Sequence, residues 1–175
     1  MIDYTQLNAD IAGWLRDVTG LDSDHVIPQN DTGPRPLAQY ITYRVLDPNK
    51  VGHDAKRYET NAVDLTSVDI NYIGLREIMV SINVLRGDAL GQMAKLKNSF
   101  DRIVTQEYFR DKQIGIVNTS ETRDLSAVVN DSWEERRQSD FFFTLLEEET
   151  VTVEAIETVE GTNLIDGKPY TVTSV

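Results

Sequence analysis

The sequence predicts an α+β fold: a mixed, mainly antiparallel sheet with two main helices packed on one face. Three observations carry this reading. Two stretches, 5–19 and roughly 88–105, place apolar residues at helical spacing. Four others, 37–46, 65–73, 75–86 and 133–146, alternate apolar and polar residues with the period of two that a half-buried strand requires. The order is helix, strands, helix, strand, long strand and tail, which keeps helices apart from strands.

Composition bounds the class. A chain of 175 residues, 40% hydrophobic, suits one compact domain with its own core. Its net charge of −12 repels phosphate backbones, so specific nucleic-acid binding is disfavoured. An acidic surface serves solubility, or lines a channel through which DNA slides without sticking. The absence of cysteine excludes disulfides and thiolate metal sites and fits folding in the cytoplasm. No apolar run approaches the roughly 18 residues of a bilayer span. The first ten residues lack the basic and greasy regions of a signal peptide.

In the first helix, Leu7, Ile11, Trp14, Leu15 and Val18 form one stripe. Asp3 or Thr5 is placed to cap it and Gly20 to end it. Residues 28–36 hold three prolines and a glycine and read as a long loop. Three strands follow. Ile41, Tyr43 and Val45 alternate with Tyr40, Thr42 and Arg44; Val68, Ile70 and Tyr72 alternate with Asp69 and Asn71. Ile78, Val80, Ile82 and Val84 share a face opposite Glu77, Ser81 and Asn83. Between the first two strands, 47–62 is polar and begins with the turn signal Asp47-Pro48-Asn49-Lys50; it reads as a ragged strand or an exposed loop.

The second helix starts at Asp88 as N-cap and buries Ala89, Met93, Leu96, Phe100, Ile103 and Val104. Ile114 to Val117 is a short strand, and Leu125, Val128 and Val129 suggest one turn of helix. The long strand at 133–146 organises the rest. Trp133, Phe141, Phe143 and Leu145 share one face; Glu134, Arg136, Gln138, Asp140 and Thr144 share the other. Its first half is charged on both faces, so that end is expected to project into water or against a partner. Beyond it, glutamates and valines alternate, Asp166-Gly167 is a turn candidate, and Tyr170, Val172 and Val175 suggest a last strand. Two readings of 150–175 stand: a hairpin packing on a neighbouring subunit, favoured by the valine spacing, or a flexible acidic tail.

Chemistry-bearing patterns are absent. His25 and His53 have no second ligand at metal spacing. No glycine-rich phosphate loop follows a strand, and no serine or cysteine sits in a nucleophile elbow. The sequence therefore predicts no catalytic residue, no cofactor and no metal. Glu134-Glu135-Arg136-Arg137 puts one acid and one base on each face of a strand. Such charges form cross-strand pairs within a chain, or reciprocal pairs between identical chains that set register and partner choice.

A resemblance adds to this. Tyr40-Ile41-Thr42-Tyr43-Arg44, Arg76 to Asn83, Gly87-Asp88-Ala89, Ile114-Gly115-Ile116, Arg123-Asp124-Leu125-Ser126, and Asp131 to Arg136 with Asp140-Phe141 occur in an order and spacing that resemble the bacteriophage neck or tail-terminator family over roughly 35–147. The resemblance implies a tail-terminator-like domain over 1–149, with 150–175 as a C-terminal hairpin or arm. It implies a structural virion protein that forms a ring, usually a hexamer, on the end of the tail tube. Such a ring stops tube polymerisation and joins tail to neck. The partners implied are further copies of the chain, the tail tube protein, the neck connector or adaptor protein and, in a contractile tail, the sheath protein. DNA passes through the bore unbound, no membrane is involved, and assembly takes place in the host cytoplasm. The subunit interface is expected at Arg123, Asp124, Trp133, Glu134, Glu135, Arg136 and Arg137, with the loops 28–36 and 47–62. The alternatives are a head-completion, adaptor or tail-completion ring of the same apparatus, or a small acidic enzyme or binding module.

Overall fold

A computed structural model describes residues 2–46, 48–60, 67–129, 131–154, 158–162 and 169–173. Helix α1 spans Tyr4–Thr19. Asp3 caps it, its Oδ1 accepting from the N–H of Thr5 at 2.9 Å and of Gln6 at 3.0 Å; this satisfies two of the donors that a helix start leaves orphaned. Gly20 ends it in the left-handed region (φ 72°), where the missing Cβ removes the steric cost.

Strands β1 (Val26–Pro28) and β2 (Tyr40–Val45) pair in parallel, Val26 opposite Ile41. β1 is too short to carry a readable period, and the sequence gives no sign of it. The polar segment forms strand β3 (Asn49–Thr60), which pairs with β4. β4 is one strand, Ser67–Leu85, where two were expected; Gly74 lies within it without breaking the extended run. β2 pairs antiparallel with β4, Tyr43 opposite Ile82.

The expected second helix is two helices, α2 (Ala89–Ser99) and α3 (Ile103–Asp111). Asp88 caps α2 through Oδ1 and the Gly91 N–H at 2.9 Å. The chain then tightens, with the Phe100 N–H donating to the Lys97 carbonyl and the Arg102 N–H to the Ser99 carbonyl. This break resets the helical phase. Ile103 and Val104, expected in the buried stripe, are exposed, and α3 buries Thr105 and Phe109 instead.

β5 (Ile114–Thr119) and β6 (Arg123–Asp124) both pair antiparallel with the long strand β9 (Arg136–Glu154). Between them lie β7 (Ala127–Val129) and β8 (Ser132–Glu134), a two-stranded antiparallel hairpin. Of the helical turn expected from Leu125, Val128 and Val129, the two valines are therefore in a strand and Leu125 lies between strands: β-branched neighbours favour extended backbone, and Asp131 at φ 61° lies at the turn. Glu135 stands outside the ladders between β8 and β9, so alternation does not carry across it. Trp133, expected on the core face with Phe141 and Phe143, is 69% exposed. β10 (Thr158–Thr162) and β11 (Pro169–Thr173) form a further antiparallel pair; Asp166-Gly167 and Val175 lie outside the described residues.

The sheet runs β1-β2-β4-β9-β5, with β3 on β4 and β6 on β9. It is mixed, because β1 is parallel to β2, and otherwise mainly antiparallel. Trp14 of α1 sits at the centre of the core. Its ring lies 5.5 Å from Phe100, 5.5 Å from Phe109, 5.4 Å from Phe141 and 6.0 Å from Phe143. Its Nε1 donates to Ser99 Oγ at 3.1 Å. α1, α2, α3 and β9 thus meet at one indole, whose single polar atom is satisfied.

Two compact units divide the chain. One comprises Met1–Gly52 with Leu75–Leu146; the other comprises His53–Gly74 with Glu147–Val175. β4 and β9 each contribute to both.

Candidate subunit interface

Within the first unit, the β7–β8 hairpin leaves apolar side chains in water. Trp133, Val128 and Val129 are exposed, and Leu37 of the proline-rich loop is 92% exposed. Leu37, Val129 and Trp133 share a depression of about 320 Å³ with Arg86, Ser132 and Glu134.

Arg86 fastens this hairpin to the end of β4. It adopts φ 65°, and its N–H donates to the Glu135 carbonyl at 2.8 Å. Its Nε meets Glu134 Oε2 at 2.9 Å, and its Nη1 donates to the Pro36 carbonyl. The guanidinium also lies over the Tyr40 ring, 5.6 Å from its centroid. Burial raises the Tyr40 phenol above its usual range, and the Glu134 charge adds to this.

The arginines of β9 are engaged inside the chain as well. Arg136 Nε and Nη2 both donate to Asn83 Oδ1, at 3.1 and 2.9 Å. Gln138 Nε2 continues the row, donating to Ser81 Oγ at 2.9 Å. Arg137 Nη1 meets Asp124 Oδ2 at 2.5 Å, and its Nε lies 3.5 Å from Glu135 Oε1. Arg123 Nη2 stands 3.7 Å from Asp140 Oδ2. Asp124 also accepts from the Ser126 N–H at 3.0 Å. Hydrogen bonds from Ser126, and then the Arg137 charge, hold the Asp124 carboxyl below the ordinary carboxylate range.

Of the seven residues expected at the interface, six are therefore engaged within the subunit, five in ion pairs and Arg136 in hydrogen bonds to Asn83. Trp133 alone of the seven presents an apolar side chain to solvent. Inside the chain, Glu134 finds Arg86 and Arg137 finds Asp124. Sequence reasoning missed Leu37 and Arg86. Leu37 was legible as an apolar residue stranded after Pro-Arg-Pro; Arg86, at the end of a clean strand, gave no signal.

A larger groove, about 730 Å³, runs along β5 beside α2 and α3, with Lys97, Phe100, Gln106, Arg110 and Gln113 on its walls. Among the described residues, no group of three or more His, Cys, Asp or Glu side chains is placed to hold a metal ion. Among them too, no helix is long and apolar enough to cross a membrane.

A family model described as phage neck terminator protein matches residues 5–168. The chain belongs to the phage neck terminator protein family. This is the family that the sequence resembles, and the match extends past both ends of the region that carried the resemblance. Membership makes the chain a structural protein of the phage neck, associated with other tail and neck proteins. No curated protein matches it.

Proposed function

We propose that identical copies of this neck terminator chain close into a ring on the end of the tail tube, stop its polymerisation, and join the tail to the neck. The observation that carries the proposal is the exposed apolar hairpin, Trp133 with Val128, Val129 and Leu37, mounted on a subunit whose neighbouring charges are satisfied internally. A soluble single subunit gains nothing from holding these side chains in water. Covering them contributes about 25 cal/mol per Å² of apolar area. A contact between unlike surfaces of successive copies closes a ring when the rotation between them closes, whereas a repeating contact along the axis would extend the tube.

The ring, a hexamer in this reading, meets the tube protein on one face and the neck connector or adaptor on the other, with the sheath protein outside it in a contractile tail. Its net charge of −12 keeps DNA from adsorbing in the bore. The chain performs no chemistry of its own; it acts by shape and by the single use of each surface, in the virion and during assembly in the host cytoplasm.

The test is microscopy of tails made with wild-type chain, without it, and with Trp133→Ala. Overlong or ragged tubes are expected without it and with the variant. Tubes of normal length with the variant would remove the hairpin from the contact, and tubes of normal length without the chain would remove the terminator role. Charge reversal at Arg136 and Arg137 should also weaken assembly. It breaks the contacts to Asn83 and Asp124 as well, so Trp133 is the cleaner probe.

A further inference from the structure

We propose that successive copies in this ring are stitched by strand pairing, the outer edge of β3 in one copy adding to the outer edge of the C-terminal half of β9 in the next. The inference rests on the ring reading above and names its contact.

In the unit His53–Gly74 with Glu147–Val175, β4 is the inner strand, since both β3 and β9 pair with it. β9 runs along one edge of β4, from Arg136 beside Asn83 to Thr152 beside Asp69, so β2 and β3 share the other edge, and β3 and β9 each face outward on their far side. Further towards its start, the outer edge of β9 is occupied: β6 pairs at Arg137 and Gln138, and β5 at Phe141 to Leu145. Beyond Leu145 no described strand pairs with β9 on that side. Thr150 Oγ1 donates to Asn71 Oδ1 at 2.6 Å and Thr152 Oγ1 to Asp69 Oδ1 at 2.7 Å, which sets this half beside β4. Among the described residues, β4 is also the strand that β3 pairs with.

A long regular edge is a template for another chain, and charge on it selects the partner: the lysines of β3, Lys50 and Lys56, oppose a second β3 and suit an acidic edge. Thr150-Val151-Thr152-Val153 carries neither proline nor charge, and its valines are exposed. Val51 and Tyr58 are exposed on β3. The two edges differ in sign. Over Leu146 to Glu154 there are four carboxylates and no cation, a net charge of −4. Over β3, Lys50, Lys56 and Arg57 stand against Asp54 and Glu59, a net charge of +1 in a chain of −12. Pairing β9 with a second β9 would bring two acidic strands side by side, which like-charge repulsion opposes. Pairing β3 with β9 joins unlike edges, and such a head-to-tail contact is the kind that runs round a ring rather than stopping at a two-fold dimer. The occupant of each edge is therefore another copy of this chain.

The test uses two charge-reversed chains: Lys56→Glu with Arg57→Glu on β3, and Glu149→Lys with Glu154→Lys on β9. Rings are counted by sedimentation and negative-stain microscopy, with tail tubes supplied where the free chain stays single. Each variant alone should self-associate at least about tenfold more weakly than wild type. An equimolar mixture should restore rings, because the acidic β3 of one chain, now −3, then meets the neutralised β9 of the other, now 0, while the alternate junctions keep their wild-type charges. Wild-type rings accompanied by full rings from either variant alone, or by no recovery in a mixture of folded variants, overturn the strand pairing and leave the ring standing. Absence of wild-type rings in both conditions overturns the ring reading, and this contact with it. A reversal that unfolds the subunit, seen by circular dichroism, is replaced by Glu149→Gln with Glu154→Gln. For that chain, weaker and less salt-sensitive association supports the pairing and unchanged association overturns it.

Discussion

Replacing Arg86 by methionine should destabilise the subunit by about 2–3 kcal/mol while leaving its core intact. Methionine keeps an aliphatic stem against Tyr40 and removes the guanidinium. Three interactions go: the pair with Glu134, the donation to the Pro36 carbonyl and, smallest, the cation–π contact with Tyr40, whose ring centroid lies 5.6 Å away. An exposed ion pair contributes at most about 1 kcal/mol. Stripping one partner from a buried pair costs about 3–5 kcal/mol, because the other charge is left uncompensated. The Arg86 side chain is 31% exposed and that of Glu134 17%, between these limits. Roughly 1–2 kcal/mol is therefore expected from the pair, and about 1 kcal/mol from the lost hydrogen bond. The assay is urea unfolding of wild type, Arg86→Met, Glu134→Gln and the double variant. The coupling energy should fall near 1–2 kcal/mol. A coupling below about 0.3 kcal/mol, within the additivity error of independent sites, would refute the claim that this pair fixes the hairpin to β4. The hairpin carries Trp133, so Arg86→Met should also reduce tail capping under conditions where the core remains folded.

Trp14→Ala should cost about 3–5 kcal/mol, a large share of a typical domain's stability, because it opens a cavity among four phenylalanine rings; thermal unfolding will show it. Trp133→Ala should move subunit stability by less than about 0.5 kcal/mol while impairing assembly, since its ring lies in solvent. Gly20→Ala should cost about 1 kcal/mol, because φ 72° suits glycine and the helix end depends on it; urea midpoints measure this. Stability should also fall at both pH extremes. The lowered Asp124 contributes fully above its ordinary value of 3.8, and its contribution is lost as pH falls through the lower folded value. Lys112 is raised by its hydrogen bond to Asp10 and Tyr108 by burial. Their contributions are complete below 10.5 and 10.0 respectively and are lost as pH rises through the raised folded values. Urea midpoints across pH should show a shallower acid limb for Asp124→Asn and a shallower alkaline limb for Lys112→Met.

The parts of the fold that depend on neighbours in the chain were legible. Gly20 and Asp88 act as the caps their positions announced, and Asp3 rather than Thr5 takes the first helix's cap, since a cap bonds within its own turn. The alternation in Ile78 to Val84 reports a strand whose core face is sealed. The acids and bases from Glu134 to Arg137 marked a charged strand end, and Glu134, Glu135 and Arg137 have ion-pair partners inside the chain. The errors share a cause. Ile103, Val104 and Trp133 were assigned to the core by extending a period across Phe100–Arg102 and across Glu135, where the backbone changes course. Helical or strand phase holds only while hydrogen bonding is continuous, and a break of one or two residues turns the next side chains elsewhere.

By itself, the sequence determined the class of fold, the capped helix ends, most of the aromatic core, the terminator family and the absence of any catalytic pattern, because these follow from local periodicity, composition and residue order. Tertiary structure alone decided which charges find partners in the same chain, that Trp133 and Leu37 remain in water, that β3 and β9 flank β4, and where, among the described residues, their outer edges carry no further strand. Those features depend on residues far apart in sequence, such as Arg86 with Glu134 or Asn83 with Arg136, and a one-dimensional pattern carries no distance between them.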